Sequence, residues 1–237
     1  MPLHQLHSWN VSPNQAIEIQ KNLRSKIIIE RPQQEFHLIA GADISFDKGS
    51  DVVYAGVVVL RLPELREVAL ATAVTTVKFP YIPGLLSFRE SPPVLEAWEK
   101  LKVQPDVVMI DGQGLAHPRR FGIASHLGLL LDLPSVGCAK SLLVGKYEEP
   151  PIPAGSYSHL IDKDETIGVA LRTRDGISPV FVSIGHKMDL ESAIALVMKC
   201  THGYRIPEPI RQAHLVVNAL REGKRVSESP PQQESLF

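Results

Sequence analysis

The 237-residue chain predicts an α/β fold, and three observations carry that expectation. Its first third holds consecutive apolar, β-branched runs separated by turn residues, as in an antiparallel meander. The short run Val107–Ile110 is continuously apolar, as strands covered on both faces are. After it, apolar strand-like segments alternate with stretches of helical periodicity. Together they give a mixed sheet with helices on both faces.

The elements follow in order. Ser12 is a candidate N-cap, Pro13 takes the first helical position, and Gln15 completes a capping box. Ile17, Ile19, Leu23 and Ile27 to Ile29 supply apolar surface to this helix without one clean stripe. His37–Phe46, Asp51–Arg61 and Arg66–Val77 read as the meander strands. Pro92–Lys102 reads as a helix capped by Ser91, with Val94, Leu95, Trp98 and Leu101 at helical spacing. Strand Val107–Ile110, helix Phe121–Leu131 and strand Ser135–Ala139 come next. Glu148–Gly155 carries three prolines and is a loop. Thr166–Arg172 and Val180–Ile184 are strand-like, and Leu190–Lys199 and Pro209–Leu220 helical. Residues 1–222 read as one domain, and the Pro/Ser/Gln-rich stretch from Gly223 as a disordered tail.

Composition narrows function little. The hydrophobic share of 44% is that of an ordinary globular domain, and two cysteines are too few for a disulfide framework or a zinc cage. No secretory signal or membrane span is expected, so a cytoplasmic setting fits best. A net charge of −1 means that any nucleic-acid surface must be a local patch.

Three carboxylates stand out. Asp43 interrupts an apolar strand, where burial is costly without a partner, although an edge strand facing solvent would also explain it. Asp111 ends the apolar run Val107–Ile110, at the strand end where α/β sheets bind ligands, and equally could start an Asp-Gly turn. Glu90 precedes the helix expected from Pro92, and a helix N-terminus alone could account for it. In one cleft the three would repel by ~1–4 kcal/mol per pair. A divalent cation removes that penalty, and hard oxygen donors suit magnesium or manganese. Convergence is an inference that sequence alone does not show.

Five segments carry a family resemblance. Phe79-Pro80-Tyr81-Ile82-Pro83-Gly84-Leu85-Leu86-Ser87-Phe88-Arg89-Glu90 and the stretch from Asp111 to His126 resemble the two signatures of the endonuclease V family, the deoxyinosine 3′ endonucleases. Gly137–Lys140, Ser183–His186 and Tyr204–Arg211 resemble three more, and the likeness spans roughly residues 12 to 220. The resemblance implies a ribonuclease-H-like fold. It implies cleavage of the second phosphodiester 3′ of hypoxanthine in DNA, leaving a 3′-hydroxyl and a 5′-phosphate. Asp43, Glu90 and Asp111 fall on the family's metal ligands, with Mg2+ expected and Mn2+ able to replace it. His214 falls where several members place a fourth active-site residue, and a helix-surface histidine is the plain alternative.

Other residues take physical roles beside that likeness. Tyr81, stiffened by Pro80 and Pro83, suits a wedge in a base stack, although it could also anchor a loop. Gly84 and Gly112 allow close backbone approach to a flipped base, and the resemblance adds Leu86 and Ile123 to the pocket. Lys140 could neutralise the scissile phosphate or orient water. His117, Arg119, Arg120, Arg205 and Arg211 are candidate phosphate contacts, each equally readable as a surface charge or, for His117, a fold residue. In the tail, Gln233, Leu236 and Phe237 resemble the short peptides that bind bacterial replication sliding clamps, with Glu234 departing from the usual apolar residue. The expectation is a monomeric enzyme acting on deoxyinosine-containing DNA. Inosine-containing RNA as substrate and a non-catalytic inosine-binding protein are the alternatives.

Overall fold

The computed structural model describes residues 3–47, 49–224 and 226. Eight strands form one sheet in the order β3-β2-β1-β4-β5-β8-β7-β6. The meander is β1 (Leu38–Phe46), β2 (Val52–Arg61) and β3 (Arg66–Thr76), paired antiparallel. β4 (Val107–Ile110) joins β1 in parallel, and β5 (Ser135–Ala139) joins β4 in parallel. β8 (Val180–His186), β7 (Glu165–Leu171) and β6 (Tyr157–Asp162) extend the sheet antiparallel. This is the expected mixed, ribonuclease-H-like sheet.

Five helices accompany it among the described residues: α1 (Pro13–Arg24), α2 (Leu86–Trp98), α3 (Ile123–Leu131), α4 (Leu190–Lys199) and α5 (Glu208–Arg221). Strand side chains alternate between two cores, as the pleat requires. Ile39, Val58, Val107 and Met109 pack with α4 and α5 on one face. Ala40, Ala42, Val57, Val108 and Ile110 pack with α2 and α3 on the other. β4 and β5 are buried throughout, which is why β4 reads as an unbroken apolar run. No helix among the described residues is long and apolar enough to cross a membrane.

Most expected elements are present, and the departures have physical causes. The Ser12 capping box forms: Ser12 Oγ accepts from the Gln15 N–H, and Gln15 Oε1 accepts from the Ser12 N–H. Helix α1 stops at Arg24, so Ile27 to Ile29 lie beyond it. Strand β6 was not anticipated, because only Leu160 of its residues is buried and its sequence shows no apolar run. The largest correction concerns α2, which begins at Leu86 and carries Pro92 and Pro93 inside. Proline favours a first turn, so the pair reads locally as a helix start. Here Phe88, 2% exposed, and Arg89, whose Nη1 donates to the Phe79 carbonyl at 2.8 Å, pin an earlier turn. Tertiary contacts outweigh the local signal.

Candidate active site

The site lies at the carboxyl end of β4, beside the point on β1 where the two strands part. Ala42 pairs with Ile110 in the parallel register, so the next residues, Asp43 and Asp111, come side by side. Helix α2 brings Glu90 from one face of the sheet, and α5 brings His214 from the other. Asp43, Glu90 and Asp111 line one small recess together with Ala42, Val94 and Ile123. Glu90 therefore sits well inside α2, and the helix N-terminus that would have explained it structurally is elsewhere.

The electrostatics bear the mark of crowding. Burial first, then the charges of Asp43 and Asp111, raise the Glu90 carboxyl to about 8. Burial and the neighbouring Asp111 also raise Asp43, opposed by its bond to His214. Each aspartate is steadied by a neighbour. Lys140, just past the end of β5, places Nζ 2.5 Å from Asp111 Oδ2. His214 Nδ1 lies 2.8 Å from Asp43 Oδ2, and the Asn218 amide lies 3.0 Å from His214 Nε2. With that amide donating, Nε2 accepts and Nδ1–H donates to Asp43. Among the described residues, no group of three His, Cys, Asp or Glu side chains is gathered to hold an ion as it stands. The donor set nonetheless fits a hard divalent cation: clustered carboxylates, of which Glu90 and Asp43 are raised first by burial and then by their like-charged neighbours.

A cleft of about 350 Å³ adjoins the carboxylates. Gly84, Leu86, Gly112 and Ile123 all line it, with Glu90, Asp111 and Lys140 at one side. A Cβ on Gly112 would stand 2.6 Å from Ile123 Cγ2, so this wall has no room for a side chain. Tyr81 is 60% exposed and belongs to the same cleft. Sequence reasoning did not find Gln20, Gln113 or Leu142–Leu143 among its lining residues. It also missed Asn218, although helical i, i+4 spacing from His214 would have pointed to it.

Several expected phosphate contacts have other partners. His117 is buried, its Nδ1 accepts from the Arg119 N–H, and its Nε2–H donates to the Gly84 carbonyl at 2.9 Å. Burial and the Arg119 charge lower it to about 4, so it is a neutral anchor inside the cleft wall. Arg119 donates to Gly84 O and Gln20 Oε1. Arg120 is buried against Asp162 and Glu165. Arg205 donates to the carbonyls of Lys140, Ser178 and Pro179, bracing the backbone under Lys140. Arg211 pairs with Glu208 and lies 4.2 Å from the Tyr204 ring centroid. Gln233, Leu236 and Phe237 lie outside the described residues.

A profile described as Endonuclease V matches residues 21–215. The chain belongs to the endonuclease V family. The endonuclease V of Myxococcus xanthus (strain DK1622) is 52% identical over 214 residues, covering 90% of this chain and 91% of that protein. The crystal structure of endonuclease V from Streptomyces avermitilis has a TM-score of 0.86 and 44% identity, over 91% of this chain and 96% of that one. Endonuclease V of Ciona intestinalis has been solved with a 23mer DNA containing an inosine followed by a ribo-adenosine. It has a TM-score of 0.80 and 29% identity, over 90% of this chain and 99% of that one. With family relatives matched at this identity and coverage, the chain is an endonuclease.

Proposed function

We propose that this endonuclease recognises deoxyinosine in DNA and hydrolyses the second phosphodiester on its 3′ side, leaving a 3′-hydroxyl and a 5′-phosphate. The observation that carries the reading is the adjacency of the carboxylate cluster to a cleft flanked by an exposed tyrosine. The cleft falls in the ~300–1,000 Å³ range of small-ligand pockets. The inosine-containing DNA bound by the Ciona relative supports the same substrate.

Asp43, Glu90 and Asp111 would hold Mg2+, with Mn2+ as a substitute. Bound there, a divalent ion lowers the pKa of water and stabilises the leaving oxygen. The remaining work belongs to side chains. Lys140, beside Asp111, neutralises the phosphate. His214 donates Nδ1–H to Asp43 and keeps that carboxylate oriented. Tyr81 opens the stack, and the wall at Gly84, Leu86, Gly112 and Ile123 encloses the extruded base.

The deciding experiment cuts an end-labelled oligonucleotide containing one deoxyinosine, with magnesium, using the wild type and Asp43→Ala. A single cut one nucleotide beyond the lesion, reduced at least a thousandfold in the variant, is expected. No cut, or equal cutting by both, removes the reading.

A second reading takes inosine-containing RNA as substrate, and the ribo-adenosine after the inosine in the Ciona complex favours testing it. Competition between matched DNA and RNA oligonucleotides separates the two. We further propose a cytoplasmic monomer whose tail (Gln233, Leu236, Phe237) binds the sliding clamp. Clamp pull-down by the full chain, but not by a chain ending at Gly223, is the expected result, and equal capture rejects it.

A further inference from the structure

We infer that Gln20, on the N-terminal helix, is a positioning residue that fixes the Tyr81 loop against the base-enclosing wall of the cleft. The inference rests on the function proposed above. Gln20 precedes the family-matched span of residues 21–215 and belongs to none of the five resembling segments. Glutamine is mostly a surface residue, yet this one is 1% exposed.

Its bonds explain the burial. Nε2 donates to the carbonyls of Gly84 and Phe121, both at 3.0 Å. Oε1 accepts from Arg119 Nε at 2.5 Å. One amide thus ties together two loops that both line the cleft. Gly84 lies in the Ile82–Leu85 turn that directly follows Tyr81, and Phe121 directly precedes Gly122 and Ile123, which line the same cleft. The Gly84 carbonyl also accepts from His117 Nε2 at 2.9 Å and Arg119 Nη2 at 2.6 Å. Three side chains therefore converge on one oxygen. Gly84 adopts φ +78°, and a Cβ there would stand 2.9 Å from Arg119 Nη2, so the approach requires glycine.

A wedge does work only if its base is rigid, because duplex must be unstacked and unpaired before the base enters the cleft. Single-stranded substrate needs no such opening. Loosening Gln20 should therefore penalise duplex more than single strand. A residue that merely held α1 on the core would depress both alike.

The test is single-turnover cleavage by the full-length protein with magnesium, on one deoxyinosine oligonucleotide presented as duplex and as single strand. Gln20→Leu keeps bulk and removes the bonds. Arg119→Met, at a half-buried position, serves if the first variant fails to fold. The duplex-to-single-strand rate ratio should fall about tenfold in either variant. An unchanged ratio, whether both rates drop or neither does, overturns the role of Gln20 while leaving the proposed function standing. Failure of the wild type to cut either form overturns the proposed function, and this inference with it.

Discussion

Glu90 sits where the proposed metal-binding role and stability pull in opposite directions. Its carboxyl is raised to about 8 by burial and by Asp43 and Asp111. The folded state therefore keeps a proton that the unfolded chain releases above its ordinary value of 4.5. Between those values the unfolded state binds fewer protons, so this group's contribution to stability falls as pH rises. Glu90→Gln removes that loss. In chelator, the variant should be more stable than the wild type at pH 8, by on the order of 4 kcal/mol for a carboxyl raised from 4.5 to about 8, and equally stable at pH 4. Cleavage with magnesium should be lost. A scan of melting temperature against pH checks the first expectation, and equal melting at pH 8 rejects it. Gly112 gives a second prediction at this scale. Gly112→Ala would drive a Cβ to 2.6 Å from Ile123 Cγ2 and narrow the cleft. Cleavage at deoxyinosine should fall at least tenfold, and the melting temperature should fall too, because the buried Ile123 must shift to admit the Cβ.

Among the elements, α1 and α2 show how local signals and packing share control. The start of α1 is local, because Ser12 and Gln15 satisfy each other's backbone donors. Ser12→Ala should cost about 1 kcal/mol, read by denaturant titration. A cost near zero would mean that packing of Ala16 and Leu23 alone holds the helix. Helix α2 is governed the other way. Its first turn has no side-chain cap, and prolines 92 and 93 cannot donate to the helix ladder. Phe79, Leu85 and Phe88 pack beneath it with Ala16 of α1. The earlier start is what carries Glu90 into the recess.

Across the whole molecule, several histidines are buried in neutral form. His126 is fully buried and held well below its ordinary value by burial and the His7 charge, and His7 and His186 are lowered by burial as well. His117 is lowered to about 4. A lowered histidine binds its proton in the unfolded chain first. These groups contribute stability above about pH 6.5 that is lost as pH falls below it, through about 4 for His117. Thermal melting should therefore drop steeply across that interval, and His126→Phe should flatten the drop. An identical slope in the variant would place the effect elsewhere.

The sequence by itself determined the alternation of strands and helices, the capping box at Ser12 and the identity of the three carboxylates. It could do so because cap chemistry is local and the doubly covered strand β4 is apolar throughout. Family resemblance, carried by contiguous segments, named the cleft residues for the same reason of locality. Tertiary structure alone decided what those residues touch. The parallel register of β1 and β4 set Asp43 beside Asp111, and the buried Phe88 turn moved Glu90 off a helix end. It gave His117, Arg119 and Arg205, read in the sequence as candidate phosphate contacts, carbonyl partners at Gly84 and Lys140. A charged or polar side chain reads the same in sequence whether it faces solvent or a carbonyl. Only the position of that carbonyl, supplied by a segment distant in the chain, distinguishes the two.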